Sequence, residues 1–219
     1  MRTKLFYGGG FIVAAVLLFS GGILLGVFLL QQGEDAAEKT PPQVEESVLA
    51  PEVEAVLERK ISLVAELMAD PVIIDGVQRA NREHEKISLE EILELDEKWR
   101  NTEGVDEFIE MFLGNDVAHT LIEFQEQYPG FSEIFIADAH GLNVGQTNKT
   151  TDYYQADEDW WIGAYNEGRG KASYGVIEFD ESAQTEAISL YVPVRDPQSG
   201  EAIGVAKAVV SIAVIKLEL

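Results

Sequence analysis

From Leu5 to Gly33 the chain carries no charge, and most of these residues are apolar. A helix crosses a hydrocarbon core with about 20 such residues, so the run predicts one transmembrane helix within residues 1–33. Arg2 and Lys4 precede it, and Glu34, Asp35 and Glu38 follow it. That charge bias places the N-terminal tip in the cytoplasm and the rest outside. A cleaved secretory signal usually has an apolar region of about 7–15 residues, so an uncleaved signal anchor is the better reading. Gly22 and Gly26 form one GxxxG, a weak sign of a neighbouring helix. Residues 34–50 (EDAAEKTPPQVEESVLA) have no period and read as an acidic, proline-bearing spacer.

From Pro51 the pattern turns helical. Val53, Val56, Leu57, Ile61, Val64, Leu67 and Met68 recur at steps of three and four. Asp70-Pro71 breaks or kinks that helix, and Val72, Ile73, Val77 and Ala80 continue it. Ser88-Leu89-Glu90-Glu91 has the form of a capping box and opens a further helix. Val105–Gln127 reads as one more, stopped by Tyr128-Pro129-Gly130. At Phe131 the period changes to two. Strands are expected over Ser132–Ala137, Leu142–Thr147, Ala172–Phe179, Glu186–Val194 and Glu201–Ile212, with turns at Asp138–Gly141 and Asp196–Gly200. The expectation is an α+β body: helices first, then a five-stranded, mostly antiparallel sheet spanning 51–219.

Composition narrows the function. Net charge is −23, and −25 once Arg2 and Lys4 are set aside, which disfavours nucleic acid and anionic lipid as partners of the body. There is no cysteine, so the core must suffice without disulfides. The three histidines, His84, His119 and His140, show no metal-ligand spacing, and no GxSxG or cysteine nucleophile is present. Neither a cofactor nor a metal is expected, and an enzyme is the least favoured class.

One stretch stands apart. TDYYQADEDWW, Thr151–Trp161, holds four acids and four large aromatics with no basic residue, in the connection between the second and third expected strands. Adjacent Trp160 and Trp161 on a helical turn cannot point the same way, so one is expected in the core and the other at a pocket or rim. Tyr153 and Tyr154 invite the same split. Asp157 and Asp159 suit a helix start, where acids are favoured, which leaves Glu158 as the better pocket candidate.

Glu133–Asp138 (EIFIAD), Gly141, Asp152-Tyr153, Glu158–Trp161, Pro193-Val194, Asp196, Gly200 and Ile203–Val205 occur in an order and spacing that resembles the Cache superfamily, the extracytoplasmic PAS-like sensor domains. The likeness covers roughly Pro51 to the C-terminus. It implies a PAS-like five-stranded antiparallel sheet with a long N-terminal helix, and a ligand pocket under the β2–β3 connection. It also implies non-enzymatic binding of a small molecule outside the cell, coupled to signalling inward. Relatives that bind free amino acids carry an Arg two positions before the Trp and an Asp late in the last strand. Those places hold Glu158 and about Val209 here, while Asp180 matches a further acid of that site. The pattern fails at its charged places, so an α-amino acid is not expected. The expected ligand-binding set is Tyr153, Tyr154, Glu158, Trp160, Trp161, Asp180 and Tyr191, and aromatic faces with carboxylates favour a cationic small molecule.

The reading is a single-pass inner-membrane protein with a periplasmic sensor domain. Receptors with this domain usually continue into a second span and an output module, whereas this chain stops at Leu219. It is therefore expected to signal through a partner, with a homodimer or a membrane signalling protein as the open partner classes. The alternatives are a fragment of a chemoreceptor or sensor kinase, or an accessory subunit that docks another membrane protein.

Overall fold

The computed structural model describes residues 49–180 and 185–219. The expected membrane span and nearly all of the spacer lie outside the described residues. Within them, no helix is long and apolar enough to cross a membrane.

Helix α1 (Pro51–Met68) has proline in its first turn, where the missing N–H costs nothing. It buries Val56, Leu57, Val64 and Met68. The Asp70-Pro71 break is a full separation. The Asp70 side chain accepts the Val72 N–H at 2.8 Å and starts α2 (Pro71–His84). Helix α3 (Leu89–Asn101) opens with the complete capping box. Ser88 Oγ accepts the Glu91 N–H at 3.2 Å, and Glu91 accepts the Ser88 N–H at 2.9 Å. The expected helix over Val105–Gln127 is two helices, α4 (Glu107–Leu113) and α5 (Asp116–Gln127). Asn115 divides them: its oxygen caps Ala118, and its nitrogen donates to the carbonyls of Met111 and Val144, both at 2.8 Å.

The strands are β1 (Phe131–Asp138), β2 (Asn143–Gln146), β3 (Ser173–Asp180), β4 (Thr185–Arg195) and β5 (Ala202–Ser211). Every pairing is antiparallel, in the order β2-β1-β5-β4-β3, which is the PAS order. The expected strand through Ile212 ends at Ser211 instead. The Ser211 hydroxyl accepts the Ala213 N–H and begins a last helix, α7 (Ile212–Leu217).

Strand alternation gives the sheet two different faces. Ile134 and Ile136, Leu190 and Val192, and Ala206 and Ala208 pack with Leu57, Val64, Ile73, Val77 and Leu121 from the helices. This is the main core. The intervening residues (Glu133 and Phe135, Ser189 and Tyr191, Lys207 and Val209) point to the opposite face. There a short helix, α6 (Asp159–Tyr165), covers one end by packing Trp161 and Ala164 against Ala137 and Val205.

The β1–β2 turn is organised by fully buried Asp138, which accepts the N–H groups of His140 and Leu142 at 2.9 Å. His84 Nδ1 lies 2.6 Å from its other oxygen and ties α2 to the turn. Gly141 sits at φ +78°, where a side chain would collide with Ala156.

From β2 to α6 the chain has almost no ladder to join. The Asp96 carboxylate, on α3, supplies acceptors for the N–H groups of Tyr153 (2.9 Å) and Tyr154 (3.1 Å), and the Trp99 indole N–H donates to the Thr150 carbonyl at 2.9 Å. Arg100 pairs with the second Asp96 oxygen at 3.0 Å. Around these bonds Trp99 stacks on Tyr153 at 5.6 Å, with Phe108 and Phe112 closing on both rings. Replacing Asp96 by Ala leaves one buried and one partly buried amide without acceptors. At about 1–3 kcal/mol for each such group, Asp96→Ala should lose about 2–4 kcal/mol in urea unfolding. A change below about 0.5 kcal/mol would mean the connection is held by its aromatic packing alone.

Candidate functional site

The face of the sheet opposite the main core carries an open cleft of about 730 Å³. Its floor is four strands wide: Glu133 and Phe135 from β1, Lys207 and Val209 from β5, Ala187 and Ser189 from β4, and Val176 and Glu178 from β3. Its wall is the β2–β3 connection, from Asn148 to Asp152 with Gln155 and Glu158, and then Trp160 at the start of α6. The register fixes the floor. Phe135, Lys207 and Tyr191 are direct partners across three strands, and Glu133, Val209 and Ser189 form the next row.

The adjacent tryptophans part company. Trp161 is buried, stacks on Tyr165 at 4.7 Å, and finds no partner for its indole N–H among the described residues. It contributes packing. Trp160 is half-buried and lines the cleft. It stacks on Tyr191 at 5.3 Å and meets Phe135 edge-on at 5.8 Å.

Glu158 occupies the position that caps α6 but makes no capping bond with its side chain, and it also lines the cleft. Tyr191 stands beside the cleft beneath Trp160. Burial pushes its phenol up, the Ser189 hydroxyl pulls the other way, and the carboxylates of Glu178 and Glu158 add to the rise. Tyr153 lies in the aromatic cluster with Trp99, away from the cleft, and burial drives its phenol far up. Tyr154 packs at the edge of that same cluster. Asp180 ends β3 in backbone pairing with Thr185, next to the undescribed residues 181–184. Of the seven expected residues, Glu158 and Trp160 line the cleft and Tyr191 supports it, while Tyr153, Tyr154 and Trp161 belong to packing around it.

Four further residues matter that are not in the expected set. Asp96 and Trp99 hold the cleft wall from α3, and nothing local in the sequence marks them. Lys207 rises from the floor, its ammonium 5.3 Å from the Trp160 ring centre and 5.9 Å from that of Phe135. Its signal is present in the sequence: it is the one charge in an otherwise apolar strand. Lys149, at the rim, donates to the Thr102 carbonyl at 2.5 Å. With Glu133, Asp152, Glu158 and Glu178, the described lining holds four carboxylates and two ammonium groups.

No protein-family model and no curated protein matches the sequence. Solved structures do. The ligand-binding domain of the Campylobacter jejuni chemoreceptor Tlp3, in complex with 4-methylisoleucine, is 12% identical with a TM-score of 0.38, over 77% of this chain and 64% of that one. The ligand-binding domain of the Pseudomonas aeruginosa amino acid chemoreceptor PctC, in complex with GABA, gives 14% and 0.37, over 75% and 62%. The Escherichia coli DcuS sensor domain gives 15% and 0.42, over 76% and 96%. The chain thus spans less than two thirds of the two chemoreceptor domains. Likeness at this level transfers neither ligand nor function to this chain.

Asp152 offers a measurable electrostatic feature. Burial pushes its carboxyl up, the Gln155 amide at 2.6 Å pulls it down, and Asp96, Glu158 and Asp157 push it up again. An acid raised in the folded state takes up its proton before the unfolded chain does. Its contribution to stability is therefore full below the unfolded value and is lost as pH rises through the folded one. Asp152→Asn should be more stable than the parent at about pH 7, with the difference shrinking as pH falls towards about 4. Urea unfolding across that range checks it, and a difference independent of pH would show that burial does not disfavour this charge.

Proposed function

We propose that this chain is a membrane-anchored, extracytoplasmic sensor whose PAS-like body binds a small molecule in the cleft and passes the signal to a partner protein. The observation that carries this reading is the cleft's construction. A connection with almost no ladder of its own is pinned by Asp96 and Trp99, and it stands over a sheet face left largely uncovered by helices. A protein that needed only a stable sheet would cover that face with apolar side chains. This one sets a half-buried tryptophan stacked on a half-buried tyrosine there, with several ionised groups around them. Such a mixture of apolar wall and few polar groups is typical of small-molecule sites.

The excess of carboxylates supports a ligand carrying positive charge, and the Trp160 face supports contact with that charge or with an apolar segment. The uncharged segment of residues 5–33 supports the anchor, and the bias of Arg2 and Lys4 against the acids beyond supports the extracytoplasmic placement.

The tryptophan pair tests the reading. Trp161→Ala removes a buried ring and should cost about 3–5 kcal/mol of stability. Trp160→Ala should cost clearly less and abolish or weaken severalfold the thermal shift produced by small amines and amino-carboxylates on the full chain. Shifts untouched by Trp160→Ala would place binding elsewhere. A chain that responds to no small molecule but co-purifies with one membrane protein would favour a docking subunit.

A further inference from the structure

Lys207 stands in the middle of the central strand, where a sheet normally packs an apolar or β-branched side chain. Its direct neighbours on both sides are aromatic, Phe135 on β1 and Tyr191 on β4. Trp160 stacks on the second and touches the first, so three rings surround a half-buried lysine. No carboxylate among the described residues comes within salt-bridge distance of it.

The ring faces attract the charge, yet they accept none of its three N–H donors in a conventional hydrogen bond. Partial burial of an ammonium with no counter-ion is costly. Of the four acids of the cleft, Glu133 lies on the floor one row from Lys207, and the other three stand farther along the lining. Glu158 stands at the start of α6 and Asp152 on the connection, close enough for the first to raise the pKa of the second, while Glu178 lies out on β3. The cleft therefore offers a lysine among three rings on its floor, shared with Glu133 and Glu178, and a second pair of acids, Glu158 and Asp152, at its wall.

We propose that Lys207 holds the anionic group of the ligand, a carboxylate or an oxyanion of similar size, while a positively charged end of the same molecule faces Glu158 and Asp152. This rests on the sensor reading and narrows it from a cation to an amphoteric molecule with separated charges. A polyanion would be repelled by the four carboxylates. A simple amine would leave the lysine unanswered.

The test uses the full chain in detergent micelles and three probes of equal length: pentanoate, pentylamine and 5-aminopentanoate. Calorimetry and thermal shift should find 5-aminopentanoate the strongest. Lys207→Met should weaken it by roughly tenfold or more, as loss of a charge-assisted hydrogen bond does, with the melting temperature unchanged or raised and pentylamine binding not weakened. Lys207→Arg should keep most of the binding. If Lys207→Met proves unstable, Lys207→Gln takes its place. Binding of 5-aminopentanoate that is indifferent to loss of the lysine charge, or pentylamine binding as tightly in the parent, overturns the role of Lys207 and leaves the sensor reading standing. Failure of all three probes at millimolar concentration also overturns it, and the wider screen with Trp160→Ala then decides the sensor reading separately.

Discussion

The backbone N–H groups of Tyr153 and Tyr154 lie in a segment with no strand partner beyond a single bridge between Leu142 and Tyr154, and the Asp96 carboxylate accepts both. An unpaired amide in this buried place would be expensive, and a carboxylate is the strongest acceptor the chain can bring. With Trp99 bonded to Thr150 and the Asn143 amide bonded to Thr150 and the Asp152 carbonyl, the connection becomes a wall rather than a loose loop. Everything proposed for the cleft depends on that wall. It sets the entry into α6, and so decides that Trp160 leans over the sheet while Trp161 goes beneath.

The sheet supplies the other half. Because its two faces alternate residue by residue, the same strands that build the main core through Ala206 and Ala208 also raise Lys207 on the far side. Small alanines flanking the lysine let the helices approach closely on one face without disturbing the charge on the other. The position costs the fold packing that an apolar residue would supply, which is reasonable only if the open face has work beyond stability. On the proposed reading, ligand recognition and the fold's stability are served by opposite faces of one strand.

Much of the architecture is legible in the sequence because its causes are local. Pro51, the Asp70-Pro71 break and the Ser88–Glu91 capping box each act within one helical turn. The change of period at Phe131 follows from the two-residue repeat of a strand. Where the structure departs from the sequence pattern, the causes are distant. Asn115 splits the expected helix over Val105–Gln127 by bonding to Val144, which belongs to a strand far along the chain. The neighbours of Tyr153 in TDYYQADEDWW point to a pocket, but Trp99, Phe108 and Phe112, from two separate helices, draw it into their own cluster. Lys207 is visible as a lone charge, yet only the register with Phe135 and Tyr191 shows what it faces.

The central claim is that a pinned connection and the open sheet face together form the ligand site. Hydrogen exchange of the full chain, with and without the probe that most raises its melting temperature, addresses it directly. The account predicts slowed exchange confined to residues 148–160 and to the parts of β4 and β5 beneath the cleft, with α2, α4 and α5 unchanged. Slowing concentrated instead on α2, α4 and α5, or spread evenly over the body, would contradict it.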